Sequence, residues 1–213
     1  MSRQSTKAGP ILVAHLFTET RQLLVDLLCS LNESDWLLRT AAPRWSVRDI
    51  ALHLLGGDLG NLSRRRDAFR LSPAVPIDSL HDLVAFLNEL NEKWVQAARG
   101  LSPRLLCELL AFTGPQLATY FASLDPFALG EAVSWVGPEP APVWLDTARE
   151  FTEQWHHQQQ IRDVTGRPGL YSPRLFAPVL DTLMRGVPRS YRKVGAAEGT
   201  LVEVEVTGPA GGR

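Results

Sequence analysis

Apolar residues recur at three- and four-residue spacing through most of this chain, a periodicity that restricts it to packed amphipathic helices. Leu12, Leu16, Leu23, Leu24, Leu27, Leu28 and Leu31 predict a first helix from about Pro10 to Leu31. Pro10 suits its first turn, where a missing N–H costs nothing. A second helix is expected after Trp45, with Ser46 as N-cap, continuing to about Arg66. Beyond a proline-containing loop, Ser72 to Ile77, a third face is marked by Leu80, Leu83, Val84, Leu87, Leu90, Trp94, Val95 and Ala98. Ser79 and Asp82 are placed to cap that helix. Pro103–Phe112 and Pro115–Leu124 read as two shorter helices divided by Gly114-Pro115. A last long helix, from about Pro142 to Val164, stops before Gly166.

The remainder is less regular. Asp125 to Pro142 is rich in Pro and Gly and reads as a loop, with Trp135 and Trp144 pinning it to the core. Pro173 to Arg185 suggests one more helix. Thr200–Thr207 alternates like a strand, with Val202, Val204 and Val206 on one side. A lone strand is unstable in water. It calls for a hairpin partner or a neighbouring subunit, unless the chain is a shortened form of something longer. Four long helices with apolar faces and a short helix/strand tail give an all-α bundle. At 213 residues this is one domain with an appendage. The expected division is a flexible N-terminus over 1–9, the bundle over 10–170 and a C-terminal extension over 171–213, which would be the start of a second domain if the chain is a shortened form.

Several function classes are set aside. A formal net charge of −1 argues against nucleic-acid binding driven by net charge. No apolar run approaches the ~20 residues of a membrane span, and no signal-peptide cleavage site is in view. The two cysteines, Cys29 and Cys107, make no CxxC pair and read as buried apolar residues of a reduced, cytoplasmic protein. No GxSxG, P-loop or GxGxxG motif occurs.

Three residues carry possible chemistry. Glu153 and His157 stand four apart on the last long helix, so both side chains share one face. His53 lies 100 residues upstream on the second helix. Bundles hold metals with side chains from facing helices, and His/His/Glu with an open position is the composition of a catalytic zinc site. The spacing alone more often marks a solvated Glu–His pair and a satisfied core histidine. His156 points about 100° away from His157 and has Thr152, not an acid, four residues before it; packing beside Trp155 suits it better. Gly57 and Gly60 fall on the His53 side of the helix and leave room for a substrate or for close helix packing. Arg64-Arg65-Arg66 reads as a solvated helix end.

The stretch Ala42-Pro43-Arg44-Trp45-Ser46-Val47-Arg48-Asp49-Ile50-Ala51-Leu52-His53-Leu54 resembles the signature of the DinB-like superfamily, closest to the mycothiol-dependent maleylpyruvate isomerase (N-terminal domain) family. Its second half resembles Glu153-Gln154-Trp155-His156-His157, followed by Ile161-Arg162-Asp163 and Gly166. The resemblance implies a four-helix bundle with a divalent metal, usually zinc and in some branches nickel, held by His53, Glu153 and His157. It implies a low-molecular-weight thiol cofactor and a small electrophilic substrate, in a thiol-dependent isomerase or S-transferase that forms a homodimer. No general base is identified; Glu150 and Asp146 qualify only by their place on the helix. Gln160 stands where family members commonly carry an acid. With Gly57, it is the expected substrate-binding residue. A metal-binding module without turnover and a hydrolase using metal-bound water are the alternatives.

Overall fold

The computed structural model describes residues 9–69 and 79–212. They are mostly helical: α1 (Phe17–Cys29), α2 (Val47–Asn61), α3 (Leu80–Ala98), α4 (Pro103–Ser123), α5 (Val143–Val164), α6 (Pro173–Met184) and α7 (Val187–Tyr191). The expected loop at Ser72 to Ile77 lies outside the described residues. Two compact units divide the chain. One comprises Ala14–Leu124 and Glu153–Leu170; the other comprises Met1–Val13, Asp125–Thr152 and Tyr171–Arg213. Helix α5 contributes its opening turns to the second unit and the rest to the first.

In the first unit α1 packs on α4, and α2 packs on both α3 and α4. Leu24, Leu27 and Leu28 of α1 meet Ile50, Leu54 and Leu55 of α2, Leu106 and Leu110 of α4, and Ile161 of α5 in one apolar core. Each such side chain stabilises the fold by about 1.5–3 kcal/mol when fully buried. Helix α1 is shorter than its leucine pattern predicts. Pro10 is not helical; Ile11 and Val13 are buried on either side of exposed Leu12, the alternation of extended chain. A 3₁₀ turn at Ala14–Leu16 leads into the helix.

Two expectations about helical faces change. Helix α4 is continuous through Gly114-Pro115. A side chain before proline is disfavoured in the helical region, and Gly114 has none. Leu106 and Leu110 before the break, and Leu117 and Phe121 after it, hold both halves against the core. Helix α3 buries only Val95 and Ala98; Leu80, Val84, Leu87 and Leu90 are exposed. Its cap is as expected, with the Asp82 N–H donating to Ser79 Oγ at 3.1 Å.

The second unit contains a small sheet where a loop was expected. β1 (Leu129–Ala132) runs antiparallel to β2 (Pro140–Pro142), pairing Leu129 with Pro142 and Ala132 with Pro140 across an irregular register. Trp135 packs on Gly186, whose added Cβ would come within 2.8 Å of the ring. The Arg185 guanidinium lies 5.4 Å from the Trp144 ring centre. The Thr200–Thr207 strand does not form. Residues 200–205 have no regular structure, Val202 and Val204 are exposed, and Val206 makes a single bridge to Gly212. Among the described residues the alternation leaves Val202 and Val204 exposed, so they add no apolar burial to hold a strand. Among the described residues, no helix is long and apolar enough to cross a membrane.

Candidate metal centre

Helix α2 begins at a full capping box. The Ser46 side chain accepts from the Asp49 N–H at 3.3 Å, and the Ser46 N–H donates to Asp49 Oδ2 at 3.0 Å. Arg99 Nε donates to the other Asp49 oxygen at 3.0 Å. Burial works to raise the Asp49 carboxyl, but the hydrogen bonds from Arg99 and Ser46 prevail and hold it below its ordinary value. The register of α2 is thereby set from its first residue, and His53 follows one turn after Asp49.

Trp45, just before the cap, lays its ring over His53 with centroids 4.8 Å apart. Its indole N–H donates to Glu92 of α3 at 3.2 Å. Trp94, also on α3, donates to the Leu52 carbonyl at 2.7 Å. It lies so close to α2 that a Cβ at residue 56 would sit 2.5 Å from the indole. Gly56 is therefore a packing residue. Gly57 is exposed and would meet nothing within 4 Å, so the backbone there borders open space.

From α5, Glu153 and His157 meet His53. Glu153 Oε1 is 3.2 Å from His53 Nε2 and 3.0 Å from His157 Nε2. The ligand-capable atoms of all three residues lie within 4.8 Å of one another. The two imidazoles meet edge to face, 4.6 Å between centroids. Both histidine side chains are 11% exposed and Glu153 is 47% exposed, so the cluster is covered on the imidazole side and open at the carboxylate. Burial raises the Glu153 carboxyl; the hydrogen bonds and charges of His157 and His53 outweigh it and keep the group far below the ordinary carboxylate range.

Gln160 completes the cluster. Its carbonyl Oε1 is 2.9 Å from His157 Nδ1, and its amide Nε2 is 3.0 Å from His156 Nε2. A carbonyl oxygen only accepts, so this bond assigns a proton to His157 Nδ1 and leaves Nε2, which faces Glu153, as the ring atom available to a cation. A fixed tautomer on the far nitrogen is the usual support of a metal-ligating histidine. Two imidazole nitrogens and a carboxylate oxygen facing one point require positive charge among them, either protons on the rings or a cation. The donor set therefore fits one divalent ion held by three side chains with positions left over. His156 is held aside by Gln160, and burial followed by the charge of His157 keeps it below its ordinary value.

The remaining site residues fall elsewhere. Asp146 and Glu150, considered as bases, are both ion-paired to Arg149, Asp146 at 2.9 Å. Arg64 turns back to the Gly60 carbonyl, and Arg66 bonds Asp67 and Gln116, so these two arginines are directed to different partners. Sequence reasoning missed Glu92 and Trp94. Both sit on α3 more than 35 residues from the motif, and the one signal was a tryptophan within an otherwise aliphatic stripe.

Residues 17–162 match the family model of the mycothiol maleylpyruvate isomerase N-terminal domain. That is more than half of the 213 residues, and the chain belongs to this DinB-like family. No curated protein and no solved structure matches the chain.

Proposed function

We propose that the first unit is a four-helix bundle of the family type and that His53, Glu153 and His157 hold one divalent ion, zinc or nickel. The activity proposed is a thiol-dependent isomerisation or S-transfer on a small electrophilic substrate. The observation that carries this reading is the convergence of three ligand atoms from residues 100 positions apart, with Gln160 orienting one of them. The ion, when bound, would stabilise a small thiol as its thiolate and polarise a substrate oxygen.

The chain's own residues contribute orientation and access. Trp45 backs His53, and Glu92 holds Trp45 in place. Gln160 keeps the Nδ1 proton on His157. Gly57 leaves the neighbouring surface open for a substrate, and the exposed side of Glu153 marks the approach. Addition of a thiol to an electrophilic carbon gives isomerisation when the thiol leaves again after bond rotation, and S-transfer when it stays. The ion pairs of Asp146 and Glu150 with Arg149 suit a reaction whose nucleophile needs no protein base.

Cobalt substitution followed by titration with small thiols tests this. A thiolate-to-cobalt charge-transfer band that saturates with thiol, and is lost in His157→Ala, supports the proposal. A cobalt-loaded protein indifferent to every thiol points to a hydrolytic or purely structural ion and overturns it.

A further inference from the structure

Both cysteines are in one place. Cys29 is the last residue of α1, and Cys107 stands in the second turn of α4, the helix on which α1 packs. They line one cavity of about 440 Å³, together with Leu28, Trp36, Arg104 and Glu108. Neither is in a disulfide; Cys29 is exposed, contrary to its reading as a buried apolar residue, and Cys107 is buried. Burial first, and then the charge and hydrogen bond of Cys29, push Cys107 up to about 12.

We propose that Cys29 and Cys107 form a dithiol site that exchanges with small-molecule disulfides and closes to an intramolecular disulfide between the end of α1 and α4. The roles divide by access. The exposed Cys29 thiolate attacks one sulfur of a disulfide R–S–S–R; that bond breaks, and the departing thiolate takes up a proton as R–SH. Cys107 then gives up its proton, attacks the Cys29 sulfur and expels the second R–SH. Two protein thiols are oxidised to one disulfide, and the reagent is reduced to two thiols. A cavity of this volume is in the range that holds a small molecule. Its apolar wall of Leu28 and Trp36, with Arg104 and Glu108 beside it, gives the reagent's body both apolar and charged contacts. The reaction uses no residue of the metal centre, so it stands or falls separately.

Cys107 is the slow partner. A thiol raised by burial stays largely protonated at pH 8, and its greater intrinsic nucleophilicity recovers only part of the deficit. Its attack is therefore slower than that of an ordinary exposed thiol. The test treats the whole reduced chain with glutathione disulfide at pH 8 and follows its mass without reductant. Wild type should pass through a mixed adduct and end two hydrogens lighter, with both thiols gone and dithiothreitol restoring them. Cys107→Ser should stop at one glutathionyl adduct on Cys29. Cys29→Ser should react at least several-fold more slowly than Cys107→Ser, because its remaining thiol is buried. A wild-type protein that keeps the mixed adduct, links to a second chain or does not react overturns the proposal, whatever the variants do.

Discussion

Replacing Gly114 by alanine tests the packing of the first unit where sequence preference and structure disagree in sign. In an ordinary helix interior the change stabilises by about 1 kcal/mol. Here the new Cβ would lie 2.2 Å from Arg21 Cγ and 2.6 Å from Cδ. Those atoms are the middle of the side chain, so Arg21 has to move as a whole. Its Nη2 makes a 2.6 Å ion pair with Asp58, with the two side chains 5% and 2% exposed. Asp58 also accepts from Thr113 Oγ1 at 2.6 Å. Arg21 Nε and Nη1 have no partner among the described residues, so the pair carries the compensation for burying the guanidinium. Breaking a buried pair costs about 3–5 kcal/mol, against at most ~1 kcal/mol from the helix propensity of alanine, a gain that the following Pro115 reduces. The expected net loss is about 2–4 kcal/mol, or a fall in Tm of about 4–16 °C for a chain of this size. Thermal unfolding followed by circular dichroism measures it. Gly57→Ala is the control, because its Cβ would meet nothing within 4 Å; it should be neutral or stabilising by up to ~1 kcal/mol. A Gly114→Ala protein as stable as wild type would refute the reasoning.

Three further outcomes follow from named contacts. Gly56→Ala drives a Cβ to 2.5 Å from the Trp94 ring and should cost about 1–3 kcal/mol by overpacking, with a shift in tryptophan emission; unchanged emission and urea midpoint would contradict the close approach. Asp49 is held below its ordinary value when folded, so it contributes stability above the unfolded pKa of ~3.9 that is lost as pH falls through the folded value. The urea midpoint of wild type should therefore drop more between pH 5 and pH 3 than that of Asp49→Asn, and equal drops would count against the Arg99 and Ser46 interactions. Gln160→Ala removes the acceptor on His157 Nδ1 and should weaken zinc binding about 10–100-fold by competition with a chelating dye, with little change in Tm.

Local signals carried most of the helical pattern into the sequence. Ser46 and Asp49 announced the start of α2 because capping chemistry is confined to four consecutive residues, and Gly166, at φ +64°, marked the end of α5 because only a residue without a Cβ enters that conformation freely. Failures came where distant contacts override local preference. Pro115 looked like a helix break, yet core side chains on both sides keep α4 continuous. The alternation of Val202, Val204 and Val206 looked like a strand, yet Val202 and Val204 are exposed and only Val206 makes a bridge, to Gly212. The two halves of the metal cluster were legible because Glu153 and His157 share a helix face and His53 sits in a recognisable motif. The brace behind them was not: Glu92 reaches Trp45, and Trp94 reaches Leu52, only across the α2–α3 contact. Cys29 and Cys107 read as unrelated because the 77 residues between them conceal the meeting of α1 with α4.

Zinc stoichiometry addresses the centre directly. Metal-free protein is titrated with zinc by calorimetry, beside His53→Ala, Glu153→Gln and His157→Ala. One ion should bind per wild-type chain, and each substitution should abolish or greatly weaken that binding while the circular dichroism spectrum is retained. Wild-type protein that takes up no zinc, nickel or cobalt, or variants that bind it as tightly as wild type, would contradict a shared cation between α2 and α5.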